Sequence, residues 1–487
     1  MATSVVDTTD NVTVLGRTFP YKYAVAIVFV VALFLDIMDT TIINVALPTL
    51  GVDFRTESVE WVVLGYTLSL AVWIPVSGWL GDKIGTKRTF LFALGIFVVG
   101  SALCGLAQSI GQLIFFRVLQ GVGGGMLTPI GTAMLFRSFP PAERAKAATW
   151  MMIPTLAAPA LGPIVGGLLV THASWRWIFY VNVPIGVAAL AFGWTCLREH
   201  REDTAGSFDL PGFALSATGL ALVIFALSEG PAWGWDSFGV LGTATVGMAC
   251  LVALVQVELR RREPLLALRL LGNRMFRSTN VVSAFAMAGF LGLLFVMPLY
   301  LQNLRGLSAL QSGLTTFPQA IGVMISSQVA GRLYKRTGPR RLIAAGLLWV
   351  AVAMAVLVGV DMTTSLWLIR VMMFARGLGL GFTFVPMQAS SYATIAPADN
   401  GRASSMFAVQ RQVAISVGVA VLSTVVASYG PLVGPIADQV SALHGYHLAF
   451  LVAAAFALGG SIAAIVLVRD SDAAATMAPN AQVAAAH

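Results

Sequence analysis

The chain has 487 residues, 57% of them hydrophobic and only 11% charged, with a mean hydropathy of +0.82. This composition excludes a water-soluble globular protein and points to a chain that crosses a membrane many times. The formal net charge of +8 reads as basic residues held on one membrane face, and nucleic-acid binding is not expected. Cys104, Cys196 and Cys250 lie in separate apolar segments with no Cys-x-x-Cys pair or His-rich tract, so neither a disulfide framework nor a metal site is expected.

The first twenty residues are polar, and the apolar run that follows is too long for a cleaved signal peptide. It stays as the first membrane helix and carries Asp36 and Asp39 deep inside, where an ionisable side chain marks function by default. Three residues apart, the two acids share a helical face. In a low dielectric two such carboxylates cannot both ionise cheaply, which equips this helix to carry a proton.

Apolar runs bounded by Gly, Pro and charge predict fourteen spans, beginning near Tyr23, Val59, Phe90, Gln112, Ala147, Trp175, Leu210, Phe238, Thr279, Ala309, Leu342, Thr364, Ala403 and His447. An even count puts both termini on one side. With that side cytoplasmic, most of the 30 Lys and Arg residues fall in cytoplasmic loops. Arg55, Arg176 and Arg305 lie outside, and Arg117, Arg370, Arg376 and Arg411 lie within spans. The expected location is the cell inner (plasma) membrane, multi-pass.

The segment from Ser77 to Arg88 repeats 253 positions later from Ala330 to Arg341, sharing Gly78/Gly331, Leu80/Leu333, Gly85/Gly338 and a closing basic pair. Parallel repeats of this kind mark transporters built from two bundles. The expected organisation is a cytoplasmic tail over 1–22, a six-helix bundle over 23–200, and two inserted helices over 208–259. A linker over 260–278, a second six-helix bundle over 279–469 and a disordered tail over 470–487 complete it.

Several motifs follow one another in order: Leu35-Asp-x-x-Asp-Thr-Thr-Ile-Ile-Asn-Val-Ala-Leu-Pro48, Gly78-x-Leu-Gly-Asp-Lys-x-Gly-x-Lys-Arg88, and Arg117-x-x-Gln120-Gly-x-Gly-Gly. Gly162-Pro163-x-x-Gly166-Gly167, Trp175-Arg-Trp-Ile-Phe-Tyr-Val-Asn-Val-Pro184, and Gly401-x-Ala-Ser404 with Arg411-Gln412 complete the set. Along essentially its whole length the chain resembles the fourteen-helix drug/proton antiporters of the major facilitator superfamily. The resemblance implies an all-α polytopic membrane protein with the major facilitator fold, two six-helix bundles plus two inserted helices.

Residue by residue, the resemblance implies proton coupling at Asp39, the acid that matches its first motif, with a part in proton transfer for Arg117. Asp36 is the second acid of the pair. Arg117 and Asp39 lie at similar depth from the outer ends of their helices, so they are placed to pair; the alternative is that the long arginine stem snorkels outward. Asp82, Gly85, Arg88 and Arg402 are the gating candidates. Asp82 either neutralises its basic loop locally or, as the resemblance implies, docks near Gly401 and Arg402.

Ala158, Gly162 and Gly166 form a smooth four-residue stripe beside the helix-bending Pro163, and the resemblance implies that this face, with Gly167, packs between the bundles. Ala414 and Ile415 stand where the family usually has glycine, which implies looser packing there. Candidate cavity residues are Trp73, Met126, Phe317, Gln319, Arg376, Met387 and Gln388, with Phe295 beside them.

No Gly-x-x-x-x-Gly-Lys-[Ser/Thr] loop is present to hold ATP phosphates, and no cluster of acids and histidines converges on one face, so neither a primary pump nor an enzyme is expected. The function expected is proton-coupled antiport exporting amphipathic or hydrophobic small molecules, drugs and toxic compounds among them, by alternating access. It needs no cofactor beyond the proton gradient, and the partners are substrate, protons and membrane lipids around a monomer. The alternative is a facilitator or exporter of one metabolite or lipid on the same fold.

Overall fold

The computed structural model describes residues 11–14, 17–139, 144–201, 207–261, 264–395, 399–434 and 436–477. Side chains of residues 11–19, 144–156, 160, 400, 401 and 475 lie outside that description. Two four-residue strands, Asn11–Val14 and Arg17–Pro20, pair antiparallel ahead of the first helix.

The helices are α1 (Tyr21–Phe54), α2 (Glu60–Ile84), α3 (Thr86–Leu106), α4 (Ile110–Ser138) and α5 (Arg144–His172), then a short α6 (Trp177–Tyr180) leading into α7 (Asn182–Cys196). The middle of the chain gives α8 (Leu210–Trp233) and α9 (Phe238–Arg260). The last part gives α10 (Arg274–Leu299), α11 (Ala309–Thr316), α12 (Pro318–Val356), α13 (Leu366–Ser391), α14 (Asn400–Ala427) and α15 (Gln439–Leu467).

Among the described residues, twelve helical segments are long and apolar enough to cross a membrane. One of these, Ala309–Gly359, runs for 51 residues, more than twice the length that about 30 Å of hydrocarbon requires. It bends at Gly338, whose φ of 75° and ψ of 165° interrupt α12.

Capping chemistry sets several boundaries that apolar runs alone misplace. Asn273 accepts from the Phe276 amide at 3.1 Å, so α10 starts at Arg274, shortening the expected 260–278 linker, which also holds a 3-10 turn over Leu268–Gly272. Asp438 accepts from the Val440 and Ser441 amides and starts α15 two turns before His447. The tail expected to be disordered from 470 begins instead with folded turns over Asp470–Ala473 and Ala474–Met477, held to α12 by the Tyr334–Thr476 hydroxyl pair at 2.7 Å.

The internal repeat recurs as a shared device. Gly85 and Gly338 have φ of 111° and 75°, a region where only glycine is comfortable. Past Gly85, the Lys87 and Arg88 amides donate to Glu199, which follows α7. Past Gly338, the Arg340 amide donates to Asp470, which follows α15. A Cβ at either glycine would collide with that carboxylate, so each half closes its second-to-third-helix turn on an acid that follows its last helix.

The two halves meet chiefly where α5 packs on α11, α1 on α10 and α2 on α14, with smaller contacts of α5 with α12, α1 with α11 and α4 with α14. At the distal end, opposite the start of α1, Gln302 donates to the Val45 carbonyl at 3.0 Å and the Leu310 amide donates to Thr171 at 3.1 Å. The hydroxyls of Thr67 and Ser416 join at 2.8 Å nearer the centre. The helices α8 and α9 are the least buried of the long helices, and α9 packs on α8 and the Leu268–Gly272 turn alone among described elements with substantial contact.

Candidate functional site

The polar side chains of mid-α1 divide into two sets. Thr40, Thr41 and Asn44 fold back onto carbonyls of their own helix, as Thr40 does to Asp36 at 3.0 Å and Asn44 to Thr40 at 3.0 Å. That leaves Asp36 and Asp39 to reach neighbouring helices.

Asp39 is fully buried and takes donors from two of them. Arg117 of α4 contacts Oδ2, while Gln120 of α4 and Asn182 of α7 donate to Oδ1 at 2.9 and 3.0 Å. Three donors and no acceptor suit a carboxylate better than a carboxylic acid. Arg117, also fully buried, donates in addition through Nη1 to Gln120 at 2.8 Å and through Nε to the Val62 carbonyl at 3.1 Å. The guanidinium therefore points inward to Asp39 and does not snorkel.

Asp36 receives the Tyr66 hydroxyl at 2.6 Å, and the Tyr66 ring lies 4.1 Å from the Arg117 guanidinium carbon. One tyrosine thus connects the two acids through a hydrogen bond on one side and a cation–π contact on the other. Gly124 makes room, since a Cβ there would lie 2.7 Å from the Tyr66 hydroxyl and 3.0 Å from Asp36. Arg411 of α14 lies within electrostatic range of Asp36, whereas the hydrogen-bond donors to Asp39 all belong to the first half.

Outer residues complete the cluster. Asn182 also donates to Ser101 at 3.1 Å, Ser101 donates to the Phe179 carbonyl at 2.9 Å, and the Cys104 thiol approaches Gln120 at 3.7 Å. Gln120 and Asn182 sit in motifs visible in the sequence. Tyr66, Ser101 and Cys104 carry no such signal, and Cys104, read as a small apolar residue, joins the polar network. Asp36 and Asp39 are not alone in being buried acids: Glu60 and Glu258, at the ends of α2 and α9, are 6% and 1% exposed.

Among the described residues, no acid pairs with the buried Arg376 of the second half. Arg376 of α13 is 1% exposed and contacts the Gln319 side-chain oxygen and the Phe290 carbonyl, the latter at 3.1 Å, while its Nε has no hydrogen-bond partner.

The other expected residues are spread out. Met126 and Met387 are buried in the helix-packing core, as is Phe295. Trp73 packs edge-on to Phe213 of α8 with ring centres 5.4 Å apart, Phe317 is half-buried and Gln388 is exposed. Among the seven cavity candidates only Gln319 and Arg376 are joined by a hydrogen bond between described side chains.

At the other end of α2, Asp82 is exposed, Arg88 lies 3.6 Å from Glu199, and Arg402 lies 4.0 Å from Asp399. Gly401, where Asp82 was expected to dock, belongs to the residues whose surroundings lie outside the description. The α5 stripe divides: Gly162 and Gly166 lie against Thr41 and Ile42 of α1 in the same half. Gly167 instead faces α11, where a Cβ would meet the Ala309 and Leu310 backbone at 2.7 Å. The face that reaches the other half therefore runs through Pro163, whose backbone lies against Gly313 of α11, and through Gly167.

Residues 29–419 match the family model of the Major Facilitator Superfamily. The chain is 34% identical over 418 residues to a protein named "Multidrug resistance protein B homolog" from Mycobacterium tuberculosis (strain ATCC 25618 / H37Rv), covering 84% of this chain and 77% of that one. It is 30% identical over 398 residues to "Putative multidrug resistance protein MdtD" from Serratia proteamaculans (strain 568), covering 81% and 83%. A solved bacterial homologue of the human lysosomal transporter Spinster, inward-facing and unoccupied, superposes with a TM-score of 0.65 at 17% identity, covering 93% of this chain and 98% of that one. Matched along most of its length by a transporter family and by transporter structures, this multi-pass membrane chain belongs to the major facilitator superfamily and is a transporter, not an enzyme.

Proposed function

We propose that the protein is a proton-coupled antiporter that exports amphipathic or hydrophobic small molecules across the cytoplasmic membrane by alternating access, with both termini cytoplasmic. The observation that carries this reading is the buried Asp39 carboxylate held by Arg117, Gln120 and Asn182. A proton arriving on Asp39 would remove the charge that holds Arg117, and the freed guanidinium would need a new partner. Asp36, next along the face and within range of Arg411, would relay the change to the second half. The relatives named for multidrug resistance support a varied apolar cargo.

Proton release on substrate addition, measured in detergent, tests the assignment. The parent should release protons, Asp39→Asn should not, and undiminished release by Asp39→Asn would move the role to Asp36.

A second reading, transport of one defined metabolite or lipid, draws support from Arg376, a buried cation without a buried acid beside it, which suits a cargo bearing an anionic group. A cargo screen in an efflux-deficient host separates the two: export of many unrelated apolar compounds supports the first, export of one acidic compound the second.

A further inference from the structure

On the side where α1 begins, the ends of α8 and α9 hold two buried acids that the transport reading does not use. Asp209, the residue before α8, and Glu258, in the last turn of α9, are 3% and 1% exposed. They face each other across Gly212, where a Cβ would lie 2.5 Å from Asp209 Oδ2 and 2.6 Å from Glu258 Oε1.

Three of the four carboxylate oxygens have donors. Asp209 Oδ1 accepts from the Gly212 amide at 2.9 Å and pairs with Arg261 at 3.1 Å, and its Oδ2 accepts from the Leu265 amide at 3.4 Å. Glu258 Oε2 accepts from the Leu266 amide at 3.1 Å, whereas its Oε1 is buried without a hydrogen-bond partner. Arg261 compensates one of the two negative charges. Arg269, the cation on the linker turn packed against α9, donates instead to the Leu259 carbonyl at 2.8 Å, so Asp209 and Arg261 are the charges that face Glu258.

A bare carboxylate oxygen there is costly, the more so opposite a second carboxylate and at a helix C-terminus, where the dipole disfavours negative charge. Oε1 has almost no accessible surface to offer a molecule or a metal ion; a proton needs none. Placed on Oε1, a proton removes one of two like charges and turns the orphaned oxygen into a donor toward Asp209 Oδ2.

We propose that Asp209 and Glu258 share one proton, forming a proton-binding site separate from Asp39 that clasps the linker at Leu265 and Leu266 to the ends of α8 and α9. When the proton leaves to water, Glu258 becomes a second carboxylate facing Asp209, and their repulsion parts the acids and frees the two linker amides. The clasp therefore tightens as pH falls on that membrane side and loosens as pH rises. Because the linker runs through the Leu268–Gly272 turn into α10, the site sets how firmly the inserted pair holds the second half at this end. It requires neither Asp39 nor a direction of transport, so it stands or falls separately from the export reading.

The test uses the full-length protein in lipid nanodiscs without cargo. Infrared difference spectra between low and high pH should show the carbonyl band of a protonated carboxyl group that Glu258→Gln removes. Asp209→Asn should remove it as well, because Glu258 then ionises beside Arg261. Hydrogen-exchange protection of the peptide spanning 264–268, corrected for the intrinsic pH dependence of exchange, should fall at least tenfold from low to high pH in the parent. It should stay high in Glu258→Gln, whose amide keeps a donor toward Asp209 and cannot ionise. If Glu258→Gln fails to fold, Asp209→Asn and the parent's exchange carry the test. A carboxyl band that either substitution leaves undiminished overturns the proposal, as does parental protection that ignores pH or that falls equally in Glu258→Gln.

Discussion

The two halves share a scaffold and differ in how each treats a buried arginine. In the first half Arg117 meets Asp39 directly, with Gln120 and Asn182 completing the carboxylate's shell. In the second half Arg376 has the Gln319 amide oxygen and backbone carbonyls, and its Nε is unpaired. The repeat therefore fixes where the helices go, while a few side chains decide which half holds a compensated charge. A compensated pair changes state when a proton neutralises one member; a lone cation among neutral dipoles keeps its charge and awaits an anion.

The largest effect should come from breaking the compensated side. Asp39→Asn leaves Arg117 buried without its counter-charge, a loss of about 3–5 kcal/mol, together with gradient-driven transport. Adding Arg117→Gln should recover most of the stability but none of the transport. A double variant as unstable in thermal melts as Asp39→Asn would show that the pair is not what Asp39 contributes.

Next in size are the glycines at which the halves agree. Gly85→Ala and Gly338→Ala should each cost about 1–3 kcal/mol through strained backbone and collision with Glu199 or Asp470. Similar losses from the two, measured by chemical denaturation in detergent, would confirm that the repeated turn is structural; a loss confined to one half would break the equivalence.

Arg376→Met sharpens the contrast from the other side. It orphans the Gln319 oxygen but no carboxylate, so its cost should stay below about 2 kcal/mol, while apparent affinity for acidic cargo should fall at least tenfold and that for neutral cargo should not. Destabilisation matching that of Asp39→Asn would erase the distinction between the halves.

The smallest effects concern α8, which touches both. Trp61→Phe removes a 3.0 Å hydrogen bond from the first half to Glu229, and Thr424→Val removes a 2.8 Å bond from the second half to the Leu227 carbonyl. Each should cost about 1 kcal/mol, and unequal thermal shifts would reveal to which half α8 is more firmly attached.

Much of this is legible in the amino-acid sequence. Apolar runs located the helices, and the α1 motif named Asp36 and Asp39, because a carboxylate in such a run is conspicuous. Tyr66, Ser101 and Cys104 are not legible there, since a tyrosine, a serine or a cysteine in a membrane helix is ordinary and only the packing of α2 against α1 and α4, and of α3 against α4, α6 and α7, gives them partners. Glu199 and Asp470 escaped for a related reason: each caps a turn more than a hundred residues away in sequence. The boundary errors at Asn273 and Asp438 came from reading hydropathy where a polar cap decides the start.

The contacts of α8 also bear on how the molecule can move. Near its distal end, Leu227, Ser228 and Glu229 bond to Thr424, Glu60 and Trp61, so one helix is fastened to both halves along the α2–α14 edge. An edge fastened on both sides behaves as the spine of a book. If the halves move about that spine, the widest opening is expected on the edge where α5 meets α11 and where Gly167 lies flush against Ala309 and Leu310.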